Sequence, residues 1–274
     1  MSVNAQNKAK SLLNYITGSV GWPSNTNIGI IAGLDYFIEN GTSDIYFNEM
    51  NTACGMYGSY ATQSAFMNQI SDYANEKGCT TAYIYGQNDV RKKNPSTIQQ
   101  PLISESFARH GISVNFEYNE NTSITYYSQR GQNQYTGSFH LFMATPWFSD
   151  DNLLEIVSGS FNKSSFRNIL GSSPVSSSLI PLFNTGSFSS NNSYHPDYLV
   201  RNPADHAKGP MGQFGIEFHK YNSATNVYQN AVNSGSLLVE KFIIGSGGIV
   251  NNEGYAHQHK LEIVMTPDRN IIAR

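Results

Sequence analysis

The sequence predicts an α+β fold, and three observations carry that prediction. Two short segments, Ala32–Ile38 and Asp44–Thr52, flank an Asn-Gly turn and read as a strand pair. Two stretches with apolar residues three and four apart, Ser59–Lys77 and Ile98–His110, read as helices, each stopped by a glycine (Gly78, Gly111). Strand, helix and strand then follow one another through 78–148, the order of a small α/β unit with a partly parallel sheet.

The remaining elements follow from local pattern. Leu12, Leu13 and Ile16 recur at helical spacing within Ala5–Thr17, which Gly18 and Gly21-Trp22-Pro23 terminate. Thr80–Tyr85 reads as a buried strand and Ile112–Tyr118 alternates as a strand should, with two more expected at Ser123–Ser128 and Ser138–Thr145. Beyond Pro146 the character changes. Asp150–Leu170 reads as helical, and a Ser-rich stretch, 172–178, separates it from the apolar Leu179–Phe183. Strands are expected at 197–201, 216–218 and 237–244, with a helix at 227–232. Residues 259–265 and 270–274 resemble a hairpin around Thr266-Pro267-Asp268. The expected domains are 1–77, 78–148 and 149–274.

Composition narrows the function classes. A net charge of -3 and a charged fraction of 14% argue against a nucleic-acid binder, which needs a basic stripe. No apolar run approaches the length that spans a bilayer, so no membrane partner is expected. Two cysteines, Cys54 and Cys79, are too few for a disulfide framework, and no Cys/His spacing fits zinc. The expectation is two free thiols in a cytosolic protein without a signal peptide.

The most informative chemistry lies in the amino-terminal strand pair. Asp35 sits on its first strand; Glu49 and Asn51 end the second and project together, because residues two apart share a face. Two carboxylates and an amide oxygen are hard donors of the kind that hold Mg²⁺ and, through it, phosphates. Solvated acids beside a turn are the commoner explanation for each taken alone. Between the strands at 197–201 and 216–218, Gly209, Gly212 and Gly215 let backbone amides approach a phosphate, and Lys208 adds a charge. An ordinary flexible loop has the same composition, and this one lacks a Walker ending. The strand Leu237–Ile243 carries one acid and one base, Glu240 and Lys241, and its edge can present backbone groups to a purine. Arg201 ends a strand and Lys163 precedes a helix; either alone is more often a solvated charge. His257 and His259 lack a third metal ligand.

Read together, these segments resemble the ATP-grasp superfamily of carboxylate–amine ligases. The resemblance rests on 161–170 with its leading Lys163, on Tyr198–Pro203, on the glycine loop 208–215, on 238–243 and on 260–274. Two departures stand out. Arg201 occupies a position where lysine is usual, which keeps the charge and changes its geometry. The metal motif expected after the last hairpin is similar instead to residues 28–58, so the chain resembles a circularly permuted ATP-grasp fold. In that arrangement 78–148 stands as an inserted pre-ATP-grasp-like α/β domain. A fragment of a glutathionylspermidine-synthase-like protein is the alternative explanation.

The resemblance implies ATP and Mg²⁺ as cofactors, and small-molecule or peptide carboxylate and amine substrates. It places Mg²⁺ on Asp35, Glu49 and Asn51, with Glu262 as a further candidate. Lys163, Arg201 and Lys208 would draw charge from the transferred phosphoryl group, beside the amides of Gly209 and Gly212. Glu240, Lys241, Phe242 and Ile243 would hold adenosine. Arg201, Lys208 and Glu49 would be the catalytic residues. An inactive relative that binds nucleotide or peptide, and a Tyr/Asn-rich binding module, are the competing readings.

Overall fold

The computed structural model describes residues 3–18, 27–51, 59–85, 99–117, 137–143, 163–187, 195–201, 216–245 and 258–273 of the chain. Five helices lie among them: α1 (Val3–Gly18), α2 (Tyr60–Glu76), α3 (Gln99–Ala108), α4 (Lys163–Ser172) and α5 (Val227–Asn233). The strands are β1 (Asn27–Ile38), β2 (Ile45–Asn51), β3 (Thr81–Tyr85), β4 (Ser113–Glu117), β5 (Ser138–Phe142), β6 (Tyr198–Arg201), β7 (Ile216–His219), β8 (Leu238–Lys241), β9 (Gln258–Met265) and β10 (Asn270–Ile272). The class is α+β with a mixed sheet. The expected strand at 123–128, Cys54 and residues 150–162 of the expected helix lie outside the described residues.

The chain divides into two compact units. The first holds Met1–Leu34, Met50–Gly159 and Leu261–Arg274; the second holds Asp35–Glu49 and Ser160–Lys260. The larger sheet runs β10-β9-β1-β5-β3-β4, with β2 pairing β1. The segment expected as a separate α/β domain, 78–148, therefore shares its sheet with β1, β9 and β10. Within it β1, β5, β3 and β4 are parallel neighbours. A parallel pair needs a crossover, and α3 supplies the one from β3 to β4.

In the first unit α2 and α3 bury Phe66, Met67, Ile70, Leu102, Ile103 and Phe107 against Ala82, Ile84, Phe139 and Leu141 of the parallel strands. Ser59 caps α2 by accepting a hydrogen bond from the Thr62 amide at 3.3 Å. Gly78 and Gly111 follow α2 and α3 with φ of +69° and +68°, the left-handed conformation glycine adopts without strain. Gly29 on β1 has a different reason. A Cβ there would stand 2.9 Å from the Phe139 ring and 3.0 Å from Val264, so only glycine lets these side chains close over the strand.

The alternate face of β3 and β5 is aromatic and polar. Tyr83 and Tyr85 stack on the His140 ring. His140 is buried, and its Nδ1 pairs with the Tyr85 hydroxyl at 2.9 Å and its Nε2 with Ser138 Oγ at 3.0 Å. Burial disfavours the imidazolium and lowers the pKa from 6.5 to about 4. A depressed folded-state pKa contributes stability that is complete above 6.5 and is lost as pH falls toward 4. This one group therefore accounts for a loss on the order of 3 kcal/mol. Urea unfolding of the wild-type chain at pH 7 and pH 4.5 should show the fall, and His140→Asn should flatten it. Equal slopes in the two proteins would remove His140 as the cause.

Candidate functional site

In the second unit β6 lies between β7 and β8, antiparallel to both. One face of this small sheet packs Tyr198, Val200 and Val239 against Phe183 and Ala231. Tyr198 stacks on Phe183 with ring centroids 4.9 Å apart, and Tyr228 meets it edge-on. The register pairs Leu199 with Glu240 and Arg201 with Leu238, which puts Arg201 and Glu240 on the other face as diagonal neighbours.

That diagonal is an ion pair. Arg201 Nη2 lies 2.6 Å from Glu240 Oε2, and Arg167 Nη1 of α4 lies 2.5 Å from Oε1. The Glu240 side chain has 0% exposure, Arg201 4% and Arg167 14%. A carboxylate in such a place requires charged partners, and here it has two. Arg167 also donates to the Ile180 carbonyl at 2.7 Å. The second arm of Arg201 donates to Asn48 Oδ1 of β2 at 2.8 Å. The lattice thus ties α4, β6, β8 and β2 together.

Asn48 and Glu49 are consecutive in β2 and so project to opposite faces. Glu49 interacts with Asp35 of β1, and Lys260 Nζ of β9 lies 3.3 Å from Asp35 Oδ1. Asp35 is buried, which pushes its carboxyl up to about 7; Lys260 opposes that rise, and the neighbouring Glu49 charge adds to it. Next to these residues in the chain, Tyr36 and His259 stack with centroids 5.2 Å apart. The predicted convergence of Asp35 and Glu49 is present. Asn51 closes β2, and its side chain lies outside the described residues.

The strand expected to hold adenosine is committed elsewhere in part. Glu240 is enclosed by its two arginines. The Lys241 amide donates to the Pro181 carbonyl at 2.9 Å, and the Phe242 amide to the Asp197 carbonyl at 3.1 Å. Lys241 Nζ pairs with Glu39 at 2.6 Å, and Phe242 and Ile243 are buried. Arg201, expected to draw phosphoryl charge, already faces Glu240 and Asn48. These residues build a frame. Lys208, Gly209, Gly212 and His257 lie outside the described residues; Lys163 begins α4, but its side chain is not among those described. Glu262 is buried on β9 in the first unit.

Three participants escaped the sequence reading: Arg167, Asn48 and Lys260. Arg167 stands on α4 beside Phe166, and no spacing in the helix names its partner. Lys260 alternates with Glu262 along β9, a spacing that marks a shared strand face but names no partner.

The residues fit a hexacoordinate hard cation only in part. Two carboxylates in contact are the donors Mg²⁺ takes when substrate phosphates and water complete its shell. Among the described residues no group of three or more His, Cys, Asp or Glu could hold a metal by itself. No described helix is long and apolar enough to cross a membrane.

No family model matches the chain, and no curated protein matches it. Among solved structures it is similar to a glutathione synthetase-like effector from Globodera pallida in the apo form. The identity is 8% and the TM-score 0.41, over 99% of this chain and 74% of that one. A likeness at this level carries no inference about chemistry.

Two consequences are measurable. Glu240→Gln leaves two guanidinium charges buried with a neutral partner, which should destabilise the second unit by roughly 3–5 kcal/mol in urea unfolding. A change under about 1 kcal/mol would mean that water already solvates the lattice. For Asp35 the raised folded-state pKa means stability is complete below 3.8 and falls as pH rises toward 7. Asp35→Asn should remove that fall, seen as a higher melting temperature than wild type at pH 8.

Proposed function

We propose that the chain is an ATP- and Mg²⁺-dependent ligase of the ATP-grasp type, in a permuted arrangement, acting on small-molecule or peptide substrates in the cytosol. One observation carries the reading. The Asp35–Glu49 carboxylate pair belongs to the same compact unit as the cationic carboxyl-terminal segments, and Arg201 bonds to Asn48 beside Glu49. This proximity of segments far apart in sequence is what supports the permuted reading.

In the proposed reaction a substrate carboxylate oxygen attacks the γ-phosphorus of ATP, and the β–γ bridging bond breaks to release ADP. An amine then attacks the acyl carbon and phosphate leaves. Such chemistry asks the protein mainly to position groups and neutralise charge. Asp35 and Glu49, with Asn51, would hold Mg²⁺, which would supply charge neutralisation for the phosphates. Arg201 and Glu240 would fix β6 and β8 beneath the nucleotide. Lys163 and Lys208 are the cations assigned to the phosphates, with Gly209 and Gly212 supplying amides. Phe242 and Ile243 would flank the base.

A second reading has its own support. Arg201 replaces the usual lysine and is bound by Glu240 and Asn48, as suits a relative that binds nucleotide and does not react.

Calorimetric titration with ATP, with and without Mg²⁺, followed by assay of ADP release, separates the two. Metal-dependent binding with ADP release supports the ligase. Binding without release supports the inactive relative. Glu49→Gln should reduce ATP turnover at least about a hundredfold, the scale for losing a transition-state charge stabiliser, with an unchanged circular dichroism spectrum. Unchanged turnover would refute the role given to Glu49.

A further inference from the structure

A cavity of about 490 Å³ opens in the first unit, lined by residues of α1, α2 and 269–272, and its volume is that of a small-ligand site. β10 is the end strand of the larger sheet among the described residues and pairs with β9 alone. The register settles which way its backbone groups face. The Arg269 carbonyl accepts from the Thr266 amide at 3.2 Å, and the Ala273 amide donates to the Glu262 carbonyl at 2.9 Å. Positions bonded to the partner alternate along an antiparallel strand, so 269, 271 and 273 face β9. Asn270 and Ile272 therefore turn their N–H and C=O groups outward. The two helices stand on either side of that edge. Ile271 belongs to the apolar cluster that holds Phe66 and Ile70 of α2. Asn270, one residue along and so on the opposite face, donates from Nδ2 to Asn14 Oδ1 of α1 at 2.9 Å.

Among the described residues Lys10, Asp72, Glu76 and Arg269 supply the charges of this lining. Glu76 pairs with Arg269 at 2.6 Å, and Asp72 with His110 at 2.7 Å and Arg109 at 3.6 Å. No described acid pairs with Lys10, so its ammonium is the charge left over for a ligand, and the complementary ligand is anionic. We propose that the cavity binds a short acidic peptide in extended form, its main chain adding to the β10 edge and its carboxylate meeting Lys10. An unpaired strand edge is a template for another extended chain, and main-chain hydrogen bonds give such complexes their affinity. The three residues of β10 present about 10 Å of edge, a match for three or four residues of peptide. With α1 on one side and α2 on the other, a thin extended segment can enter, whereas the sheet edge of a second copy meets the helices first. Every residue involved lies in the first unit, so the inference stands apart from the ATP reading and neither falls with the other.

The test is equilibrium dialysis of the full chain against acetylated, amidated tetrapeptides of mixed sequence, read by mass spectrometry. One pool carries a single Glu and the control pool carries Gln in its place. The Glu pool should be retained over the Gln pool, and its best-retained peptide is then titrated calorimetrically. Lys10→Gln should weaken that peptide about threefold, the scale of one exposed charge pair. Ile272→Pro removes an outward amide while sparing the bonds to β9, and should weaken binding roughly fivefold, the scale of one hydrogen bond, with an unchanged circular dichroism spectrum. Methylating the peptide's own amides one at a time should do the same at one position or more, with the protein unaltered. No retained peptide, or equal retention of the two pools, overturns the proposal. So does a retained peptide indifferent to Lys10→Gln or to every N-methylation. Sedimentation that shows a dimer dissolved by Ile272→Pro would assign the edge to a second copy and overturn it as well.

Discussion

The Glu240 carboxylate, shut away from water and gripped by two guanidinium groups, is the constraint on which the second unit depends. A buried carboxylate is costly unless charged partners stand beside it, and here two arginines do. Arg167 comes from α4 and Arg201 from β6, so the helix and the sheet are positioned by a single acid on β8. Because Arg201 also reaches Asn48, the lattice sets the place of β2. The aromatic cluster around Tyr198 and Phe183 fills the opposite face of the same sheet. Nonpolar packing supplies cohesion on one side, and directional charge pairing supplies geometry on the other.

This division separates the framing groups from those given a role in the proposed reaction. Arg201 and Glu240 form an ion pair at 2.6 Å. Asp35 and Glu49 are two acids held close, with Lys260 3.3 Å from Asp35. A close pair of acids is the kind of place where a cation gains from binding. The proposed chemistry accordingly rests on the β1–β2–β9 strands.

Much of the fold is written in local pattern. Leu12, Leu13 and Ile16 mark α1, Gly78 and Gly111 mark two helix ends, and Thr266-Pro267-Asp268 marks the β9–β10 turn. Alternation in Ile112–Tyr118 marks β4, whereas the start of β1 at Ile28 carries no alternation, because it is buried on both faces. The α/β segment 78–148 was legible as strand, helix and strand. Its membership of a sheet with β1, β9 and β10 was not, since pairing between distant strands leaves no trace in spacing. The site divides the same way. Asp35 and Glu49 could be paired from a turn between neighbouring strands. Arg167, Asn48 and Lys260 could not, because their partners lie far along the chain and only tertiary packing brings them together.

The most direct test is a crystal structure of the chain grown with Mn²⁺ and a non-hydrolysable ATP analogue, with the metal located by its anomalous signal. The account predicts a peak bonded to Asp35 and Glu49 oxygens and to the analogue's phosphates, with the Arg167–Glu240–Arg201 lattice unchanged. A metal and triphosphate bound away from Glu49, or an intact lattice with the analogue bound in the first unit, would contradict it.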